Sequence, residues 1–279
     1  MQDKEKSFIV SASQEGVRLD KALLVLLPDS GLRQRRRLAE NDRVFVDGLV
    51  RGPAWKLRSG QYVELLPDPS PVAPCPDLVV VARQGGYAAV HKPAGLHSAT
   101  VVGSGNPSAE ALLVALFPGE HPVLLNRLDQ LTSGLLLVEL DAGAGKLFRS
   151  LEKTGQVRKE YTAKVAGRLD EPLELQARLD VVDRVRTRVL DDVDPDPARW
   201  TLVTPLAYDG EQDASLVRAV IRRGARHQIR AHLAHAGHPL WGDPLYGGRS
   251  ADRLYLHHCR ICFDGFQAES PIGWEATAF

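Results

Sequence analysis

A chain of 279 residues suits one large domain, or a main domain with a small accessory one, and its 44% hydrophobic and 25% charged residues are ordinary for a soluble globular protein. Its 35 basic and 35 acidic residues cancel, so nothing in the global charge argues for a nucleic-acid partner, and any such case rests on local charge. Three cysteines (Cys75, Cys259, Cys262) make no even disulfide framework, and neither the N-terminal MQDKEKSFIV nor any later stretch is a signal h-region or a membrane span. A cytoplasmic enzyme or binding protein is the expectation.

In chain order, "RLDKALLVLL" has helical periodicity, with Leu19, Ala22, Leu23 and Leu26 on one side. "LRQRRRLAEN" follows as a second helix that Asn41 can end. "RVFVDGLV" is a hairpin turning at Asp47-Gly48, and "GQYVELLP" is another alternating strand. The prolines of "LPDPSPVAPCPD" deny that segment helix and ladder hydrogen bonds, so it reads as a semi-rigid linker. The expected organisation is a small unit over 1–66, a linker over 67–77 and a main domain over 78–279.

Beyond the linker the chain becomes strand-rich. "DLVVVARQGGYAAVHKP" predicts two strands joined at Gln84-Gly85-Gly86, and the apolar run 133–138 predicts a strand buried on both faces. "EYTAKVAGRL", "SLVRAVIRR" and "RLYLHHCRICF" alternate as strands do. Helices are predicted over 109–116, 142–153 and 227–235. The polar segment 178–200 is expected to end in a long exposed loop. The fold class is therefore α+β with mostly antiparallel strands.

Local charge is uneven. Between Arg18 and Glu64 ten basic side chains face six acidic ones, and Arg33, Arg35, Arg36 and Arg37 crowd one helix. The plain reading is a solvated helix face, but four arginines in five residues shift the balance towards phosphate contact. From Ser215 to His235 the chain holds Arg218, Arg222, Arg223, Arg226 and Arg230 without one acid, which predicts a phosphate-binding strip unless distant acids pair with them.

Other chemistries are thinly supported. His227, His232, His235 and His238 lack the acid of an HExxH site. Cys259-x-x-Cys262 lies in an alternating strand, which would turn the two thiols to opposite faces as small buried residues. P-loop, GxGxxG and GxSxG motifs are missing from the sequence. What remains is Asp129, set beside a strand where an unpaired carboxylate is costly, a tyrosine in "RKEYTAKV", and the arginine-rich window.

"HKPAGL", "NRLDQLTSGLLLV", "KEYTAKVAG" and "RHQIRAHLAHAGHPLWGDPLYGG" recur in this order in the RluA-type pseudouridine synthases, and "RLYLHHCRICF" matches that family's closing strand. The resemblance spans 91–263. Over 16–67 the chain also resembles an S4 RNA-binding domain, more by order of features than by one string. These likenesses imply a mixed-sheet catalytic domain, mostly antiparallel, preceded by a small α/β S4-like domain. They imply an isomerase that breaks the C1′–N1 bond of a flipped uridine, turns the base and rejoins it through C5, with no cofactor or metal. By the same resemblance Asp129 is the catalytic carboxylate, Arg230 its charge partner and Tyr161 the ring that stacks on the uracil and takes part in proton transfer. Arg127 fills the space left by the flipped base, and Arg226, His227 and Gln228 join Arg33, Arg35, Arg36 and Arg37 as RNA-binding residues. The RNA partner is expected to be ribosomal ahead of tRNA, with no membrane and no obligate protein partner.

The chain departs from the family pattern in places. Asn126 stands where His is usual before R-L-D, and His91 where Asn or Asp is usual before K-P-A-G, an exchange that close neighbours would allow. Ala225 and Arg226 replace the usual Arg and Thr before H-Q-I-R, which bears on RNA positioning more than on chemistry. Two rivals stand beside the main reading. One is a catalytically silent RNA-binding protein that keeps the fold. The other is a retaining glycosidase, which would need a second carboxylate about 5 Å from the first.

Overall fold

The computed structural model describes residues 6–40, 43–65, 78–100, 107–183 and 185–274. The chain separates into two units, Met1–Cys75 and Pro76–Phe279. Asn41 and the whole proline-rich segment lie outside the described residues.

In the first unit, β1 (Lys6–Ile9) is followed by α1 (Leu19–Ala22), α2 (Leu32–Glu40), β2 (Val44–Val46), β3 (Leu49–Val50) and β4 (Tyr62–Leu65), and the strands pair in the order β1-β4-β2-β3. The hairpin turns at Asp47 and Gly48, both with φ above 50°, the conformation a two-residue turn requires. Where one helix was predicted, α1 stops at Ala22 and a 3₁₀ turn carries Leu23–Val25. Pro28, which lacks the N–H that a continuing helix would bond to Leu24, bars the helical stretch from running further. The predicted apolar stripe survives, because Leu19, Ala22 and Leu23 are buried with Val44, Val46, Leu57 and Val63.

Among the described residues the second unit is built on a ten-stranded sheet, with a separate two-stranded ribbon. β5 (Val79–Gln84) and β6 (Tyr87–Lys92) form a hairpin, followed by α3 (Ala109–Leu116), β7 (Val123–Leu124), β8 (Ser133–Glu139) and α4 (Ala144–Lys153). Then come β9 (Arg158–Ala166), β10 (Leu173–Leu175), β11 (Ala177–Asp180), β12 (Arg188–Val193), β13 (Thr201–Asp209) and β14 (Ala214–Ile221). α5 (Gln228–His235), β15 (Leu256–Phe263) and β16 (Phe266–Glu269) complete it. The main path runs β10-β13-β14-β9-β15-β8-β6-β5, with β16 on β15 and β7 on β8. Among the described strands every pairing is antiparallel except β8 with β15.

β8 is the floor of this unit. Leu135, Leu136, Leu137 and Val138 are fully buried, as a continuous apolar run in a central strand should be. The parallel contact with β15 depends on Gly134 (φ +116°), where an added Cβ would lie 2.3 Å from the His258 carbonyl oxygen. Two expectations need correction. The latter half of 178–200 is not a plain loop, for β12 pairs with β11 as a separate two-stranded ribbon. Its side chains are mostly exposed, so it carries no core periodicity to announce it. The alternation assumed between Cys259 and Cys262 is broken by a register shift between His258 and Arg260, and both thiols are half-buried.

Candidate active site

Asp129 sits in the turn that leads into β8, and that turn is held from three directions. Ser98 Oγ donates to the Leu128 carbonyl (2.7 Å) and accepts the Leu128 N–H (2.9 Å). The Asp129 carbonyl receives the Thr132 N–H. Lys92, fully buried at the end of β6, donates to the carbonyls of Pro93 (2.8 Å), Leu96 (2.8 Å) and Gln130 (3.1 Å). Burial pulls the Lys92 ammonium down to about 7, with the Asp129 charge opposing. Three carbonyl acceptors nevertheless require three N–H donors, and only the charged form supplies them.

Arg230 on α5 joins two carboxylates. Its Nη1 donates to Asp129 Oδ2 (2.9 Å), while Nε and Nη2 grip Asp243 as a fork (2.8 and 2.9 Å). The guanidinium and Asp243 are buried, whereas Asp129 is 23% exposed and faces an opening. Burial works against the Arg230 charge, but the bonds to Asp243 and then to Asp129 outweigh it and raise its pKa. Asp243 also accepts the N–H groups of Leu245 and Tyr246, so it is fixed before it meets the arginine. Arg127, the sequence neighbour of Asp129, is exposed at the rim.

These groups open on a pocket of about 360 Å³, its mouth included, lined by Arg127, Asp129, Thr132, Tyr161, His227 and Arg230. The Tyr161 ring lies flat on His258 (centroids 4.5 Å apart, planes 16° apart). His258 donates from Nδ1 to the Leu135 carbonyl (2.7 Å), and burial pushes it down to about 3, so it is a neutral platform. Burial, then the nearby Asp129 charge, pushes the Tyr161 phenol well up. Thr132 Oγ1 is a buried hydroxyl in the pocket wall without a hydrogen-bond partner. No group of three or more His, Cys, Asp or Glu among the described residues is arranged to hold a metal.

With the geometry in place, comparison with known proteins decides the family. The description RNA pseudouridylate synthase matches residues 86–235, the stretch that holds Asp129, Tyr161 and Arg230. This chain belongs to the RNA pseudouridylate synthase family. A pseudouridine synthase of Chloroflexus aurantiacus, itself uncharacterised, is 32% identical over 272 residues, covering 93% of this chain and 84% of that one. A ribosomal large subunit pseudouridine synthase D of Yersinia pestis is 28% identical, covering 89% and 78%. In fold, the chain is similar to human RNA pseudouridylate synthase domain containing 1, with a TM-score of 0.60 at 21% identity over 75% of this chain and 89% of that one. The protein is thus an RNA pseudouridine synthase of RluA type, an isomerase that turns uridine into pseudouridine.

Within this synthase several expected RNA contacts are engaged elsewhere. Arg35 is buried, with Nε on the Asp20 carbonyl (2.9 Å) and Nη1 on the Ser30 carbonyl, because α2 turns this position onto α1. Arg36 pairs with Asp20 (2.8 Å), while Arg33 is exposed. Arg226 donates to the carbonyls of Val181 and Asp183 and so anchors the β11–β12 ribbon. Gln228 is buried, bridging the Arg199 carbonyl (2.7 Å), Thr201 Oγ1 (3.0 Å) and the Ala225 N–H (2.9 Å). The basic window is no open strip either, since Arg218 pairs with Glu160 and Arg223 with Asp196. Asn126 accepts the Leu137 N–H of β8 (2.7 Å), whereas His91 bonds to Ser270 (2.7 Å), so their hydrogen bonds join different neighbours.

Asp243, Lys92, Ser98 and His258 were not singled out from sequence. Asp243, Lys92 and His258 stand inside the strings that carried the resemblance, and those strings were their signal. Ser98 follows "HKPAGL" by two residues and had none.

Proposed function

We propose that Asp129 is the catalytic carboxylate of this synthase, attacking the nucleotide or stabilising charge at the ribose while the C1′–N1 bond breaks. The observation that carries the reading is the 2.9 Å bond from Arg230 to the one oxygen of Asp129 that it touches, at the wall of the pocket. A guanidinium already locked on Asp243 favours the ionised form of Asp129 and holds it at a fixed point, and that preorganisation is what a charged nucleophile in a partly dry site needs. Tyr161, backed by His258, offers a rigid flat surface on which a uracil can stack. Arg127 at the rim is suited to fill the gap that a flipped uridine leaves. The N-terminal unit is read as an S4-like domain that adds RNA affinity, with the exposed Arg33 and Arg37 as its phosphate contacts.

The proposed substrate is ribosomal RNA ahead of tRNA, in keeping with the printed name of the Yersinia pestis relative. No helix among the described residues is long and apolar enough to cross a membrane, and the proposed site of action is the cytoplasm. The test is to map pseudouridine in rRNA and tRNA transcripts after incubation with the protein and with Asp129→Asn. The expected outcome is product at discrete uridines with the native protein and none with the variant, while RNA binding stays within a few-fold. Full activity of Asp129→Asn would remove this carboxylate from the mechanism.

A further inference from the structure

We propose that His227 is the proton carrier of the isomerisation, accepting the C5 proton at Nε2 and passing it to N1. The inference rests on the reading of the Asp129 pocket given above. His227 is held in the left-handed region (φ 53°, ψ 15°) just before α5, a conformation more open to histidine than to most side chains but still one that the surroundings must reinforce. The reinforcement comes from Tyr246, whose ring meets the imidazole edge to face (5.8 Å) and whose hydroxyl lies 3.2 Å from Nδ1.

The hydrogen bonds around that hydroxyl assign the tautomer. Tyr246 Oη accepts the Thr187 N–H (2.9 Å) and donates to the Thr187 carbonyl (3.1 Å). A Tyr246 proton placed on the Thr187 carbonyl leaves the hydroxyl to accept from His227, and in that arrangement Nδ1 carries the hydrogen. The lone pair of the neutral ring is then on Nε2, which lies 3.8 Å from Asp129 Oδ2 in the wall of the pocket.

The chemistry needs such a group. When the C5 electron pair bonds to C1′, C5 becomes tetrahedral and keeps its hydrogen, and the base carries a C6=N1 double bond. A base must then take the C5 proton. The C–H pair becomes C5=C6, the C6=N1 π pair moves onto N1, and N1 takes a proton. One proton leaves and one arrives, so a single carrier suffices and no other reactant is consumed. Arg127 and Arg230 cannot accept a proton, and the Tyr161 phenol holds its own because burial and Asp129 push its pKa up. Asp129 is the rival acceptor once C1′ has been released.

Charges face His227 from each side: Asp129 from the turn before β8, Asp243 from beyond α5, and Arg230 and Arg226 from its own segment. Burial lowers its pKa, Asp129 opposes, and the two arginines add to the lowering. The ring is therefore neutral at neutral pH, and the rate limb it produces falls on the acid side of an ordinary histidine.

The test is single-turnover kinetics on RNA carrying hydrogen or deuterium at uridine C5, with native protein, His227→Gln, His227→Ala and Asp129→Asn. Expected for His227→Gln is a loss of roughly 100-fold or more in rate, an enlarged C5 deuterium isotope effect and RNA binding within a few-fold. His227→Ala should regain rate with added imidazole. A His227→Gln rate within about threefold of native, or a loss with an unchanged isotope effect and no imidazole rescue, overturns the proposal and leaves Asp129 as the acceptor. An active Asp129→Asn would instead defeat the reading of the pocket itself, so the two failures are distinct.

Discussion

Arg230 is a buried cation between two acids, and the two are not equivalent. Asp243 is fully buried and holds the guanidinium through two bonds, while Asp129 takes one bond and lines the pocket. The burden of positioning therefore falls on Asp243, although the proposed chemistry falls on Asp129. Asp243→Asn should cost about 3 kcal/mol in urea unfolding of the second unit, the low end for breaking a buried pair because Asp129 still faces the arginine. Its single-turnover rate should drop by about 100-fold through misplacement of Arg230, with RNA affinity nearly unchanged. A variant with native rate would show that the fork on Asp243 does not position the site. Asp129 and Arg230 were legible because each stands in a motif with a known companion. Asp243 also stands in such a motif, but its role was not legible, because nothing in "GDPLYGG" says that its aspartate turns back thirteen residues to an arginine on the preceding helix.

α2 shows how an element divides residues that look alike in sequence. Nine residues of helix give the four arginines different directions, so Arg35 enters the unit while Arg33 faces water. The two should therefore respond differently. Arg33→Gln should lower the slope of log affinity against log salt by about 1 and leave stability unchanged. Arg35→Gln should destabilise the first unit by about 1–3 kcal/mol, since it strips donors from the Asp20 and Ser30 carbonyls, with the salt slope intact. Equal salt responses would mean that this sorting by direction does not govern RNA contact. The β11–β12 ribbon carries the same lesson, because Arg226, read as a candidate phosphate contact, is used to tie the ribbon down.

Across the molecule, acids and bases meet in ion pairs both between near neighbours in sequence and between distant segments. Asp20 illustrates the consequence for acid stability. It is buried between Arg18 (2.8 Å) and Arg36 (2.8 Å), and the Arg18 bond first, then Arg36, hold its carboxyl down at about 2 against the cost of burial. A folded pKa below the ordinary 3.8 favours the ionised form in the fold, so this contribution is complete above about pH 4 and disappears as pH falls through 2. Amide protection factors in the first unit, taken relative to the intrinsic exchange rate at each pH, should fall over that window in the native protein. Asp20→Asn should flatten that response, and an unchanged acid response in the variant would place the effect on other carboxylates.

What the sequence determined by itself was local and periodic: the buried strand β8, the Asp47-Gly48 turn, the α+β class, and the motifs that bring Asp129, Tyr161 and Arg230 into one expectation. Tertiary structure decided which charges were already spent. Whether Arg226 or Arg230 meets solvent, a carbonyl or an aspartate depends on chain segments 13 to 101 residues away, and one-dimensional spacing does not encode that distance. It also set His227 against the Tyr246 hydroxyl and within 3.8 Å of Asp129, a placement that residue spacing does not encode.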